Sequence, residues 1–536
     1  MKRISNSLQL LKRQLYVWVI VLLALQGGSN LVSEVAAADI LTQAAIIYYV
    51  SPAGNDDHNG TSPGEAWKTI AKVNSISFNA GDQILFERDG VWHEALIVSS
   101  SGLPGNPITF GSYGSGEKPT IDGDYSIWEL VPIGGNDHLV FRDMVFTHTQ
   151  QHVIKTGSSP SSNILVENCD FIENGGAAIS AASGSENWIV MNNHISGCDQ
   201  AEQVLGSESC EGGCDSIYIN SGARNWEISH NTIRDSCGDA ISPSGSGHHI
   251  YQNILGPNTS ESIGVSPDSG SDDIWIYENK IFGHDWCGIV VKGTNFKIFR
   301  NEIYDNGVDG GIFTNNENVQ GLEIYQNLIY DHHSYPGIEI WRGGDYTQIY
   351  NNVIINNESG IAIQQNQEGI ALINNIIYSN ANIGIDTNET YVTIWNNDVY
   401  QNGIDYAGIE DQKGINYNIS QDPLFINETE RDFHLQSNSP CIDAGIDMGL
   451  EHDFEGNPIP QGVYPDMGAY EFRTSSYENE DLNQDGVVNI LDLQLATNVF
   501  LGVMQDPAIV ERADINNDGV VDNDDIEMVI TKILEP

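Results

Sequence analysis

Short runs in which apolar and polar residues alternate recur along most of the chain. FRDMVF, VENCDF, VMNNHI, ISHNTI, IYQNIL, IYENKI, FRNEI, IYQNLI, IYNNVI, INNII and IWNNDV share one polar residue ahead of an apolar pair or near-pair. Aligned on it, they place Asp143, Asn168, Asn193, Asn231, Asn253, Asn279, Asn301, Asn327, Asn352, Asn375 and Asn397 at one position, 22 to 26 residues apart except for one interval of 38. Each run is followed by a polar turn and a Gly-Ile segment, such as GIVV at 288–291, GIFT at 311–314, GIEI at 337–340 and GIAI at 360–363. Alternation over four to six residues is a strand signal, and the repeat nowhere sustains a 3.6-residue period.

Strands that repeat on this period without crossover helices predict the coils of a parallel β-solenoid, in which equivalent residues of successive coils sit about 4.8 Å apart. The recurring asparagines would stack their amides in a ladder while Ile and Val fill the bore. Eleven aligned coils give roughly 50 Å of stack. A β-propeller needs about 40–50 residues per blade, nearly twice this period. An open solenoid end exposes unpaired edges, so caps are expected in the segments before Asp143 and in the aromatic-rich 417–472. The fold class expected is all-β, a parallel β-helix.

Length and composition fit one large repeat domain plus something smaller: 536 residues, 54 of them Gly, and only 18% charged. Residues 1–38 read as a secretory signal, with Lys2, Arg3, Lys12 and Arg13 ahead of an apolar run from Leu15 to Leu25 and then Ala36-Ala37-Ala38. That run is too short for a bilayer span, which takes about 20 residues. The expected product is therefore exported, with no membrane segment after cleavage. Removing four basic residues and one acidic from 22 and 74 leaves 18 against 73, a net charge of −55. Such a balance argues against nucleic acid as a partner and for solubility or cation binding. Seven cysteines are sparse for a disulfide scaffold. Cys198 with Cys237, and Cys210 with Cys214, are the expected pairs, with at least one thiol left over. CEGGC lacks a second half at zinc-ligand spacing.

Over most of 47–472 the chain resembles the right-handed parallel β-helix proteins. YYVSPAGNDDHNGTSPGEAWKTIAKV with GDQILFERDGVW is similar to their opening segment, and DPLFINETERDFHLQSNSPCIDAG with YPDMGAYEF to their exit. Many unrelated activities share that architecture, so function has to come from the site.

The C-terminus changes character. DLNQDGVVNILD at 481–492 and DINNDGVVDNDD at 514–525 place oxygens at loop positions 1, 3, 5, 7, 9 and 12 around a central Gly. The ligands would be Asp481, Asn483, Asp485, the Val487 carbonyl, Asn489 and Asp492, then Asp514, Asn516, Asp518, the Val520 carbonyl, Asp522 and Asp525. Hard oxygens at this spacing suit Ca2+, although both loops end in Asp where an EF-hand has Glu. After each loop an apolar face follows at helical spacing: Leu493, Ala496 and Phe500, then Ile526, Val529, Ile530 and Ile533. Two calcium loops, each with only an exiting helix, resemble a type I dockerin, which implies a cohesin domain of a scaffold or cell-surface protein as partner. The residues just before position 12, Ile490-Leu491 and Asn523-Asp524, differ from the small hydroxyl pair of that family. The expected organisation is signal peptide 1–38, opening cap 39–142, coils 143–416, C-terminal cap 417–472, linker 473–480 and dockerin-like module 481–536.

Along each Gly-Ile segment, alternation sends the second and fourth residues after the Gly position outward. Aromatic and charged residues gather there between Tyr218 and Arg342. Tyr218, Phe313, Asn315 and Trp341 are the expected substrate contacts, the rings as sugar-stacking platforms. Asp215 and Asp239, one coil apart, are expected to repel and to hold calcium between them. CDSIY and GDAIS partly resemble the calcium-binding segments of polysaccharide lyase family nine, which implies a calcium-assisted β-elimination on a uronate polymer. Lys292 would be the base and Arg342 the carboxylate partner. Lys292 lies two residues further along its segment than that family's lysine, and Ser242 replaces one of its aspartates. The alternatives are a glycoside hydrolase drawing two carboxyl groups from Asp215, Asp239, Asp268 and Glu339, and a non-catalytic carbohydrate-binding protein. His284, His332 and His333 lie in polar segments and are read as solvated turns.

Overall fold

The computed structural model describes residues 44–534 except 198–214, 237, 259–261, 365–366, 389–390, 474–481, 484–487, 505–506 and 516–519. Among them, parallel strands stack into three walls. One sheet has 14 strands, from Ile47–Val50 to Thr393–Trp395, and a second has 13, from Val91–Trp92 to Asp398–Tyr400. The third wall is a five-stranded and a six-stranded sheet, joined through Val265, which bridges both Ile241 and Ile289.

The bore is filled by columns of apolar residues in register. Ile250, Ile276, Ile298, Ile324, Ile349 and Leu372 line one wall. Leu255, Ile281, Ile303, Ile329, Ile354 and Ile377 line the next, and all twelve are fully buried. Each such side chain contributes roughly 1.5–3 kcal/mol by leaving water. The column, not any isolated strand, therefore holds a coil whose strands are mostly three to five residues long.

The first two walls meet at a two-residue corner. Its first residue is left-handed, with φ of 52–58° at His230, Gln252, Glu278, Arg300, Gln326, Asn351, Asn374 and Asn396. Its second is the ladder asparagine. Asn301 shows the pattern: its Nδ2 donates to Ile276 O at 2.8 Å and to Asn327 Oδ1 at 3.0 Å, and its backbone N–H donates to the same Oδ1 at 3.0 Å. The chain of amides runs without a break from Asn193 to Asn418. Two of the eleven aligned positions are out of register. Asp143 and Asn168 have φ of 57° and 50° and occupy the left-handed corner. The inward positions beside them are Met144 and Cys169, both fully buried. A one-residue slip exchanges the exposed and buried members of the corner.

A second ladder stands at the next corner, where the sequence suggested solvated turns. His284 N–H donates to Asn306 Oδ1, Asn306 N–H to His332 Nδ1 and His332 N–H to Asn357 Oδ1, all at 3.1–3.2 Å, and the series continues through Asn380 to Asn402. His284 and His332 are buried, and burial pushes each imidazole down to about 4. Only His333 of the three is exposed.

The coils begin well before Asp143, because strands at 47–50, 83–87 and 108–113 already belong to the first sheet. These coils lack the ladder asparagine that marks the later ones. The helix Ile70–Asn74, N-capped by Thr69, buries Ile70 and Val73 in the core at this end, beside Trp67. At the other end, the segment expected as a cap runs back along the side of the solenoid. Phe425, Phe433, Leu435, Met467 and Tyr470 pack on Leu328, Tyr330, Val353, Ile355 and Tyr378 of the second sheet. The corner side chains of Arg300, Gln326, Asn351, Asn374 and Asn396 hold its backbone carbonyls. The expected disulfide partners lie outside the described residues, while Cys169, Cys287 and Cys441 are buried free thiols.

Candidate functional site

The third wall sets the outward side chains in rows. Its inner row is Pro132, Lys155, Ser180, Tyr218 and Ser242, then Val290, Phe313, Glu339, Ala362 and Asp386. Continuing the register of Val291 with Thr314 places Lys292 beside Asn315, which itself pairs with Arg342 across a bulge that inserts Trp341. Lys292 and Arg342 are thus two coils, or about 10 Å, apart.

Asp215 and Asp239 stand at the head of successive strands, as the spacing predicted. The Asp239 N–H donates to Asp215 Oδ1 at 3.0 Å, and the Ile263 N–H to Asp239 Oδ1 at 3.1 Å. The Ser242 hydroxyl lies 2.7 Å from Asp215 Oδ2 and 3.4 Å from Asp239 Oδ2, so these two oxygens are at most about 6 Å apart, the sum of the two legs. Burial raises both carboxyls; Asp268 adds to the rise at Asp215, Asp215 adds to it at Asp239, and Lys292 opposes both. Two like charges in such a site favour retention of one proton. Lys292 Nζ reaches Ser266 Oγ at 3.2 Å, and that hydroxyl also bonds Asp239.

Among the described residues, calcium fits this pair poorly. It takes six to eight oxygens, whereas here two carboxylates and two hydroxyls already satisfy one another and backbone N–H groups. Among the described residues no group of three or more His, Cys, Asp or Glu side chains is placed to hold a metal.

Phe313 is buried, 4% exposed, against Ile263, Cys287 and Val290. It therefore offers no open platform, because Trp341 stacks on it at 5.6 Å. Trp341 is 39% exposed, with the Arg342 guanidinium 4.3 Å from its ring. Glu339 sits one strand from Phe313 and accepts from Gln364 Nε2 at 3.2 Å. Burial raises its carboxyl, with Asp309 and Glu358 adding to the effect. Tyr218 Oη donates to Asn220 at 3.3 Å.

Sequence reasoning passed over Asp386 and Trp286. Asp386 follows Glu339 and Ala362 in the inner row; IGID at 383–386 continues the Gly-Ile rule and could have revealed it. Trp286 is 39% exposed, and its backbone N–H donates to Ser262 O at 3.0 Å, one position ahead of the strand-head column in which Asp239, Ile263 and Cys287 align. Nothing in its local sequence marks it, since its position depends on the stacking of coils.

The C-terminal loops are built alike. Asp492 and Asp525, at position 12, are both fully buried. Asp492 accepts the Asn483 and Asn489 N–H groups at 3.1 and 2.9 Å, and Asp525 accepts those of Ile515 and Asp522 at 2.8 and 2.9 Å. Asn489 and Asp492 also form the capping box of the helix Ile490–Phe500. Asp481, Asp485, Val487, Asn516 and Asp518 lie outside the described residues. Of the predicted apolar faces, Ala496 and Val529 reach a core with Leu482, Val499, Ala513 and Ile515, whereas Phe500 and Ile530 are 42% and 37% exposed. A further helix, Pro507–Ala513, stands between the two loops, and Arg512 Nε ties it to Leu482 O at 3.0 Å.

Comparison with known proteins agrees with this geometry. The type I dockerin domain family matches residues 479–534, and the right handed beta helix region family matches 215–331 and 287–430. A stretch of 87 residues is 37% identical to a lacto-N-biosidase of Bifidobacterium longum subsp. longum, covering 15% of this chain and 5% of that protein. Another of 76 residues is 40% identical to the uncharacterized protein YwoF of Bacillus subtilis, covering 14% and 15%. The chain thus spans a small part of the length of both curated relatives. Among solved structures, the complex of XylC with xylose superposes with a TM-score of 0.52 at 12% identity, over 80% of this chain and 98% of that one, a likeness of fold. The chain is a right-handed parallel β-helix protein that carries a type I dockerin domain at its C-terminus.

Proposed function

We propose that this is an exported glycan-degrading enzyme, brought by its dockerin to a cohesin on a scaffold or cell surface. We read the groove on the third wall as its active site. The observation that carries the reading is the Asp215–Asp239 pair, two half-buried carboxyls bridged by one hydroxyl on a face that also presents Trp341. With one proton retained, one carboxyl can protonate a departing glycosidic oxygen while the other, ionised, faces the sugar, which is the requirement of glycoside hydrolysis. The bound of about 6 Å on their facing oxygens includes the 5–5.5 Å separation associated with retention. The lacto-N-biosidase relative is named for a glycosidase activity, which supports a hydrolytic reading.

Elimination is the second reading. Lys292, Asn315 and Arg342 stand on neighbouring strands, and a base two coils from a guanidinium could serve a uronate chain. In either reaction Glu339 would contact the adjoining sugar. In the dockerin, the two buried position-12 carboxylates and the side-chain oxygens of Asn483, Asn489, Asp514 and Asp522 suit calcium, which would supply the charge that lets both loops close.

The purified full chain should be incubated with neutral and acidic polysaccharides, following both new reducing ends and the ultraviolet absorbance of unsaturated sugars. New reducing ends without unsaturation, lost in Asp239→Asn, are expected. Unsaturated product that survives Asp239→Asn and disappears in Lys292→Ala would replace hydrolysis with elimination.

A further inference from the structure

We infer that the third-wall groove takes a neutral glycan and rejects uronate polymers; this rests on reading the groove as a glycan-active site. The first ground is charge. Asp215, Asp239 and Asp268 stand at one end, and Asp309, Glu339 and Asp386 toward the other. Their mutual influence is direct: Asp268 acts on Asp215, and Asp309 on Glu339. Among the described residues the cations on the strands of this wall, or directly following them, are Lys155, Arg224, Lys292 and Arg342. Lys155 is paired with Glu129 at 3.3 Å, and Lys292 and Arg342, which stand nearest the carboxylates and Trp341, are both engaged. Lys292 bonds Ser266 at 3.2 Å in the field of Asp215 and Asp239, and Arg342 lies against Trp341 at 4.3 Å. A polyuronate brings a carboxylate on every residue into this field, on a chain whose formal charge is already −52. Calcium could reverse the sign, but among the described residues no third carboxylate joins the aspartate pair to cage it.

The second ground is the chemistry of the exposed groups. Asn315 and Gln364 are exposed amides, and Trp341 offers an apolar indole surface. Carboxylates such as Glu339 are acceptors only. The hydroxyls of a neutral sugar are donors that such acceptors hold in charge-assisted hydrogen bonds, whereas a second carboxylate has no proton to give. The same groups that repel a uronate therefore recognise a neutral pyranose.

The test is binding, measured by affinity electrophoresis and calorimetry with the full-length Asp239→Asn protein, so that turnover does not remove the ligand. The probes are xylan, β-glucan and galactan against polygalacturonate and alginate, at low and high salt, with calcium or chelator. At least one neutral polymer is expected to bind about tenfold or more tightly than either polyuronate, with little dependence on salt. In the Asp309→Asn, Glu339→Gln double variant, polyuronate binding should rise roughly threefold or more at low salt. A polyuronate that binds within tenfold of the best neutral polymer, with or without calcium, would overturn the inference. So would failure of every neutral polymer to bind, or a double variant with unchanged polyuronate binding. A neutral polymer that is bound but never cleaved by the unaltered protein would sustain the inference and remove the hydrolytic reading instead.

Discussion

Replacing Asn301 with Ala tests whether the amide ladder holds the solenoid or merely decorates it. Asn301 is fully buried. Its Oδ1 accepts both the backbone N–H and the Nδ2 of Asn279 at 3.0 Å, while its own Nδ2 serves Ile276 O, Phe299 O and Asn327 Oδ1 at 2.8 to 3.1 Å. In the variant, Asn279 Nδ2 keeps Ile250 O and Tyr277 O, and Asn327 Oδ1 keeps the Asn301 N–H. The Asn279 N–H and the Ile276 carbonyl lose these partners. Each buried polar group left unpaired costs about 1–3 kcal/mol, and a small void adds to that, so a loss of roughly 3–5 kcal/mol is expected. The comparison is Asn168→Ala, which by the sequence alignment is the same kind of residue. Asn168 sits at the exposed left-handed corner and bonds Asp143, so its loss should cost about 1–2 kcal/mol, mostly the left-handed preference. Repeat arrays do not unfold in one step, so the assay is native-state hydrogen exchange at the amides of Asn279, Asn301 and Asn327, with urea unfolding followed by tryptophan fluorescence. Equal losses at the two sites, or a loss below about 0.5 kcal/mol at Asn301, would refute the reasoning.

His284 and His332 are buried neutral, with values near 4 against 6.5 in the unfolded chain. Their folded values are depressed, so the stability they carry is present above pH 6.5 and is lost as the pH falls toward 4, each by at most about 3 kcal/mol. His332→Gln should flatten that part of a stability–pH profile; an unchanged slope would count against the second ladder. Chelation of the full chain should reduce helical circular dichroism from Ile490–Phe500 and Asn523–Leu534 and abolish cohesin capture, both restored by calcium. Asp525→Ala should leave the second loop unable to recover, and full recovery would contradict its anchoring role. Trp341→Ala should weaken glycan binding by roughly tenfold while leaving thermal unfolding nearly unchanged, since the ring is partly exposed; a large drop in Tm with unaltered binding would make it a packing residue.

How much was legible depended on whether a signal repeats. Ile at every second position and Asn on a period near two dozen are local patterns with one stacked solution, so the solenoid, its ladder and the dockerin loops followed from residue order. The first coils carry no ladder Asn and escaped notice. Asp143 and Asn168 were misaligned because a two-residue corner of polar residues does not say which member faces in. His284 and His332 look like polar turn residues until neighbouring coils supply Asn306 and Asn357 as partners. At the candidate site, the adjacency of Asp215 and Asp239 was readable from their spacing. The bonds that occupy their oxygens were not, because Ser242 reaches back to Asp215 on the preceding coil and Ser266 reaches Asp239 from the next one.

Residue order by itself therefore determined the periodicity, the identity of the inward columns and the presence of two oxygen-rich loops, since each arises from contacts that recur at a constant offset. Only the tertiary structure decided which outward groups are open and which are covered. It buried Phe313 beneath Trp341, laid 421–472 along the side of the second sheet and brought Trp286 one position ahead of the strand-head column of Asp239. Exposure and charge neighbourhood depend on what packs across several coils, and no local sequence pattern carries that information.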